Sequence, residues 1–363
     1  VTKKIKILFR KMKIKLEYIW LDGGKPEPSL RSKTKVLDAI GENNGSFKIP
    51  GVKDLPIWNF DGSSTGQAKG NFSEVLLKPV RMYENPLETF SFLVLCETLD
   101  AKSKKPHESN TRSKCETYGD LWIGFEQEYV FQDPKEDYYP LGFKNRNAKP
   151  QGDYYCGVGY GKVTGREIAN YHLDMCLACG INITGINAEV LLGQWEYQIF
   201  SKDATKAADD LWISRYLLER ITEKEGLRIS WSPKPIIGDW NGSGLHTNFS
   251  TLETRDLGGE EIFKAILKEM EKNHEYSIEN YGSGNDKRLT GDHETQSIDK
   301  FTYGVGDRGA SVRIPTSVRD NHYAGYLEDR RPAANADPYL IVNSLSVILK
   351  KAILDNRDLR KEI

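Results

Sequence analysis

The sequence predicts an α+β protein: a small, mainly β N-terminal part followed by a larger mixed part. Three observations predict this. Ile14, Leu16, Tyr18 and Trp20 alternate with other residues and so share one face of a strand. Farther on, Ile262, Phe263, Ile266, Leu267 and Met270 recur with helical spacing. Between these regimes, residues 101–117 are polar, include Pro106 and show no apolar period, as a linker would.

Taken in order, Lys3, Lys4, Lys6, Arg10 and Lys11 make residues 1–12 a basic, solvated extension with no acid. The first domain is expected over 13–105, with strands at 13–20, 55–60 and 91–97. Asp22-Gly23-Gly24 and Asp61-Gly62-Ser63-Ser64 supply turns between them. The second domain is expected over 106–363. It opens with a strand at 121–131. Thr164-Gly165-Arg166-Glu167 reads as a capping box, with Thr164 at N-cap and Glu167 at N3. The helix it starts carries Ile168, Tyr171 and Met175 on one face and stops near Gly180. A second helix holds Leu211, Leu218 and Ile221 and ends near Gly226. A last one opens at Asp337-Pro338, with Pro at N1, and carries Ile341, Leu345, Ile348 and Ala352.

Bulk properties narrow the function. Lys and Arg number 51 against 52 Asp and Glu, so a general nucleic-acid binder is disfavoured and an anionic substrate needs a local cluster of cations. No apolar run is long enough to cross a bilayer. Five irregularly spaced cysteines argue against a disulfide framework and for a reduced, cytoplasmic protein. Cys176 and Cys179 read as small apolar residues of a helix.

The acids carry the chemistry. In Glu126-Gln127-Glu128 the two glutamates point to one face of a strand set among aromatic residues. Two buried like charges demand compensation, by protonation or better by a divalent cation. Glu189 and Glu196 sit in similar apolar settings. Ligation by glutamate oxygens suits Mg²⁺ or Mn²⁺ rather than Zn²⁺. His246 lies in a Gly- and Asn-rich run, 241–250, whose glycines would let backbone approach a ligand. Arg288, Arg308, Arg313 and Arg330 supply positive charge suited to phosphates and carboxylates, whereas Arg319 and Arg331 read as solvated surface residues. Residues 157–163 fall short of a P-loop and lack the Rossmann glycine spacing. Glutamates, a histidine and arginines together point to phosphoryl transfer, with the acceptor open.

These motifs resemble the glutamine synthetase family, in its shorter eukaryotic-type (type II) form. The resemblance covers Trp58-Asn59-Phe60-Asp61-Gly62-Ser63-Ser64-Thr65, Glu126-Gln127-Glu128-Tyr129, and residues 187–199, 241–250, 288–294, 308–315 and 328–332. It implies an N-terminal β-grasp domain and a catalytic domain with a curved antiparallel sheet and flanking helices. It also implies that L-glutamate, ammonium and ATP are joined to give glutamine, ADP and phosphate through a γ-glutamyl phosphate, with two or three Mg²⁺ or Mn²⁺ ions per site. The family assembles as a homo-oligomer, usually two stacked pentameric rings, with sites between neighbouring subunits. By matching motif, Glu128, Glu189 and Glu196 would hold one metal, and Glu126, His246 and Glu328 a second. Arg288 and Arg330 would bind glutamate, with Asn241 and Gly242 at its amino-acid end. Arg308 and Arg313 would contact the phosphates, and Trp122, Asn248, Ser250 and Tyr326 would neighbour ATP. Glu294 would lie on a closing flap, and Asp61, from an adjacent subunit, would take a proton from ammonium. Two rival readings remain: a ligase for another amine, which should lose the Asp61 segment, and a non-enzymatic relative, which should lose metal ligands or arginines.

Overall fold

A computed structural model describes residues 13–41, 47–144 and 148–355; the basic extension at 1–12 lies outside them. The chain divides into two compact units. One runs to Ser113 and takes in Met175–Gly180; the other holds Lys114–Asp174 and the residues from Ile181 onward.

The first unit is a five-stranded sheet built from β1 (Lys13–Leu21), β2 (Leu30–Asp38), β3 (Trp58–Asp61), β4 (Glu74–Glu84) and β5 (Ser91–Asp100). Its order is β2-β1-β5-β4-β3. The central pair β1 and β5 is parallel and the outer pairings are antiparallel, the strand arrangement of a β-grasp sheet. Leu16, Tyr18, Trp20, Leu77 and Val94 form its buried face. Two strands carry weak sequence signals. β2 is an edge strand rich in Lys and Arg, a composition that keeps exposed edges from pairing further. β4 contains Pro79, and its register with β5 shifts between Pro79 and Arg81.

The second unit is organised on a larger sheet of β6 (Trp122–Asp133), β7 (Ile183–Ala188), β8 (Gln194–Ser201), β9 (Arg228–Ser230), β10 (Leu245–Ser250), β11 (Tyr303–Val305), β12 (Val312–Ile314) and β13 (Leu327–Asp329). The main path is β7-β8-β6-β10-β13-β12-β11, with β9 and the short pair Tyr139–Pro140 both on β6. All pairings are antiparallel except β11 with β12. The helices are α1 (Arg166–Ala178), α2 (Ala204–Glu225), α3 (Glu260–Lys272), α4 (His274–Asn280), α5 (Thr316–Asp320) and α6 (Pro338–Asp355). α2 begins where Asp203 accepts from the Lys206 N–H and ends at Gly226, whose φ of 69° is the left-handed C-cap that glycine supplies without strain. α6 opens on Pro338, with Asp337 accepting from Tyr339 N–H at 2.9 Å. α2 packs against β6, β8 and α6. No helix among the described residues is long and apolar enough to cross a membrane.

α1 departs from expectation. It starts at Arg166, and it buries Ala169, His172 and Cys176, while Tyr171 is exposed and Ile168 and Met175 only half-buried. The Thr164 carbonyl accepts from Trp195 Nε1 at 2.8 Å. His172 can sit inside because its ring is neutral: burial lowers its pKa to about 4, and Nε2–H donates to the Ser214 carbonyl at 2.9 Å. Cys176 and Cys179 are buried thiols, as expected of small apolar residues.

Arg331 is not a surface residue. It is 1% exposed and donates through Nε and Nη2 to the buried Asp329 carboxylate at 2.9 and 2.8 Å. Tyr281 Oη donates to the same carboxylate, and Arg331 Nη1 donates to His274 Nδ1. A charge so placed is tolerable only because nearly every lone pair and proton is matched. Arg319 is solvated and pairs with Asp320.

Candidate active site

The sheet register assembles the site. Residues directly opposite across strands share a face, as do residues two apart along a strand. Glu128 of β6 faces Glu196 of β8, and Glu126 faces His246 of β10. Asn248, two residues past His246, faces Glu328 of β13, which in turn faces Arg313 of β12. One face therefore carries Glu196, Glu128, Glu126, His246, Glu328 and Arg313 across five strands. The intervening residues point the other way. Gln127 is fully buried and accepts from Arg215 of α2 at 2.9 and 2.6 Å.

Loops complete a cavity of about 320 Å³ above this face. Glu189, just past β7, lines it, with its carboxylate held by Asn187 Nδ2 at 2.8 Å and the Val190 N–H at 3.2 Å. Arg288, Arg308, Arg313 and Arg330 line it as well, with Asn241, Gly242 and Glu294. Arg313 and Arg330 each donate to one oxygen of Glu328, at 2.9 and 2.6 Å. Arg313 Nε is a buried donor without a protein partner. Arg308 lies 3.4 Å from the Glu294 carboxylate.

The glycines before His246 also admit a side chain of the protein itself. A Cβ on Gly244 would stand 2.5 Å from Arg288 Nη2, and one on Gly242 would stand 2.7 Å from Arg288 Cγ. They make room for the Arg288 side chain, which is buried and donates to the Arg330 carbonyl and to His246 Nε2, each at 3.0 Å.

Burial and mutual repulsion perturb the acids. Glu128 is raised to about 7 by burial, which Arg288 partly opposes. Burial and neighbouring carboxylates raise Glu189 to about 8 and Glu196 to about 9. His246 is pushed well below its usual range by burial and by Arg330 and Arg288, so it is a neutral imidazole. Buried glutamate oxygens plus a neutral histidine form a donor set for a hard divalent cation. Among the described residues, two groups have ligand atoms close enough to share an ion: Glu126, His246 and Glu328, and Glu128, Glu196 and His246. His246 Nδ1 is 3.4 Å from Glu126 and 3.9 Å from Glu328.

A second, more apolar cavity of about 480 Å³ lies behind Glu126 and is lined by Trp122, Asn248, Ser250 and Tyr326. Glu126 borders both cavities, and Asn248 Nδ2 donates to it at 2.7 Å. Asp61 belongs to the other unit. It is exposed, accepts from Ser63 N–H and Oγ–H, and is held below its usual pKa by those bonds.

Several lining residues lacked a sequence reading. Gln194 donates to Glu128 at 3.1 Å and to the Gly242 carbonyl at 3.0 Å; its position two before Glu196 was a usable signal. Arg255 stacks 3.8 Å from the Trp122 ring in the apolar cavity. Tyr155, His293 and Thr295 also line the first cavity. Tyr155 comes from a loop with no local signal.

Acids and a histidine on one sheet face, with arginines around the cavity and an apolar slot beside it, fit metal-assisted phosphoryl transfer. Residues 109–273 match the family described as glutamine synthetase, catalytic domain. The chain is 50% identical over 337 residues to glutamine synthetase of Bradyrhizobium diazoefficiens, covering 92% of this chain and 95% of that one. It is 49% identical over 346 residues to that of the fungus Schizosaccharomyces pombe, covering 92% and 91%. The chain belongs to the glutamine synthetase family. Its fold matches a Plasmodium falciparum glutamine synthetase with a TM-score of 0.74 at 16% identity, over 98% of this chain and 75% of that one.

Proposed function

We propose that the chain joins ammonia to the γ-carboxylate of L-glutamate at the expense of ATP, giving glutamine, ADP and phosphate. The observation that supports this most is the placement of buried carboxylates and buried arginines in one cavity, next to an apolar slot of nucleotide size. Glu128, Glu189 and Glu196 would hold one Mg²⁺ or Mn²⁺, and Glu126, His246 and Glu328 the other. When bound, these cations supply charge neutralisation for carboxylate and phosphates.

The rest falls to the chain's own side chains. Arg288 and Arg330 hold the substrate carboxylates, with Asn241 and Gly242 beside the amino-acid end. Trp122, Asn248, Ser250 and Tyr326 border the base and ribose of ATP. Arg308 and Arg313 bind the phosphates and stabilise charge as the γ-carboxylate oxygen attacks the terminal phosphorus and ADP leaves. Asp61 of a neighbouring subunit, an exposed carboxylate held below its usual pKa by its Ser63 contacts, accepts a proton from ammonium. Ammonia then attacks the acyl carbon and phosphate leaves. Glu294 closes over the site and keeps water from the acyl phosphate. This reading includes a ring-built homo-oligomer of two stacked pentamers, a cytoplasmic location, and a β-grasp domain over 13–105 with the catalytic domain over 106–363.

The test is an assay of glutamine formation with ammonium and competing amines, with and without Mg²⁺ or Mn²⁺. Ammonium should be used in preference, and only with the metal. Activity with another amine but not ammonium would overturn the assignment.

A further inference from the structure

At the mouth of the catalytic cavity, four side chains from three separate loops meet. Gln151 Nε2 lies 2.8 Å from Asn241 Oδ1 and 3.4 Å from His293 Nδ1. His293 Nε2 lies 3.3 Å from Asp239 Oδ1. The hydrogen bonds are mutually consistent in one tautomer. The Gln151 amide donates one hydrogen to Asn241 and one to His293 Nδ1, which leaves the ring proton on Nε2, within ion-pair distance of the Asp239 carboxylate. The four residues border an outer cavity of about 520 Å³, which shares Val190, Asn241, His293 and Glu294 with the catalytic one. Their backbones are unusual too. Gln151, His293 and Glu294 have φ of 56°, 53° and 61°, left-handed values that non-glycine residues adopt only when held.

We infer that Gln151, His293 and Asp239 form a latch that positions the flap residue Glu294 over the catalytic cavity. His293 directly precedes Glu294, so anchoring its ring at both nitrogens fixes where the next side chain enters. Asn241 ties the same latch to the loop that carries the substrate-binding residues. Gln151 and Asp239 are largely exposed, so each contact is weak on its own, which suits a cover that must open every turnover. These are positioning residues; none touches the reacting atoms.

This inference rests on the ligase reading, because the latch matters only if a hydrolysable acyl phosphate must be shielded. If the flap is loose, water adds to the acyl carbon in place of ammonia, phosphate leaves and glutamate is regenerated, so that ATP is consumed without glutamine. The experiment measures phosphate released per glutamine formed by the full chain with Mg²⁺, ATP, glutamate and ammonium. Wild-type protein should give a ratio close to one. Gln151→Ala and Asp239→Ala should raise the uncoupled part, the excess of that ratio over one, about three- to tenfold, the population change expected from losing one hydrogen bond. The KM for ATP should stay as in the wild type. Asp239→Asn, whose amide oxygen still accepts from His293, should keep the wild-type ratio. Wild-type coupling in both alanine variants would overturn the latch, whereas a wild-type protein that forms no glutamine would overturn the ligase reading itself.

Discussion

Replacing Glu128 by Gln should make the metal-free protein more stable while destroying its activity. Glu128 sits on the sheet face opposite Glu196 and beside Glu126, is 8% exposed, and has its pKa raised from 4.5 to about 7. For an acid raised in this way, the ionised form is penalised in the folded state. At pH 8 the group is above both its unfolded and folded values, so the whole penalty is present, on the order of 3 kcal/mol. Glu128→Gln removes the charge and keeps an oxygen that can accept from Gly244 N–H, now 2.8 Å from Glu128 Oε2. That penalty is already net of the attraction of Arg288 and Arg330; the cost of burying the polar amide that replaces the carboxylate offsets part of the gain and leaves about 1–3 kcal/mol. In a unit of this size that is a rise of roughly 2–10 °C in Tm. The assay is thermal melting of wild type and variant at pH 8 in chelator, then with Mg²⁺. The variant should melt higher in chelator, gain less from Mg²⁺, and lose at least about a hundredfold in kcat. A variant that melts lower in chelator and keeps the full Mg²⁺ shift would refute the reasoning.

Three further outcomes follow from the same geometry. The raised values of Glu128, Glu189 and Glu196 mean that metal-free stability is greatest below pH 4.5 for these groups and declines as pH rises through about 7 to 9; the Mg²⁺-induced Tm shift, which needs ionised ligands, should therefore be larger at pH 8.5 than at pH 6. Gly244→Ala would put a methyl 2.5 Å from Arg288 Nη2, so it should cost about 1–3 kcal/mol and raise the KM for glutamate about tenfold, read by melting and steady-state kinetics. Arg331→Ala leaves Asp329 buried and unpaired, so it should destabilise by about 3–5 kcal/mol, measured by denaturant unfolding; an unchanged midpoint would contradict the buried-pair account.

How much of this was legible in the sequence depends on the distance over which the signal acts. That Glu126 and Glu128 share a face follows from strand periodicity alone. That they face His246 and Glu196 depends on cross-strand register, which pairs residues tens to more than a hundred positions apart and leaves no local trace; their grouping came through the family motifs. The glycines around Ser243 advertised a close approach, but not that the approaching group was Arg288. Arg331 looked like one more charge in a charged run, because its partner His274, and Tyr281 that shares its Asp329 carboxylate, are brought there only by the fold. The buried face of α1 departs from its hydrophobic pattern for a related reason: hydrophobicity favours Ile168, Tyr171 and Met175, whereas small residues and a neutral, hydrogen-bonded His172 pack better. Edge strand β2 and proline-bearing β4 fell below the strand signal because charge and Pro79 mask their alternation.

The most direct test of the central claim uses glutamate labelled with ¹⁸O in its γ-carboxylate. If that carboxylate attacks ATP in this cavity, one labelled oxygen should appear in the phosphate for each glutamine formed, and only when Mg²⁺ or Mn²⁺ is present. Glutamine accompanied by unlabelled phosphate would contradict the account.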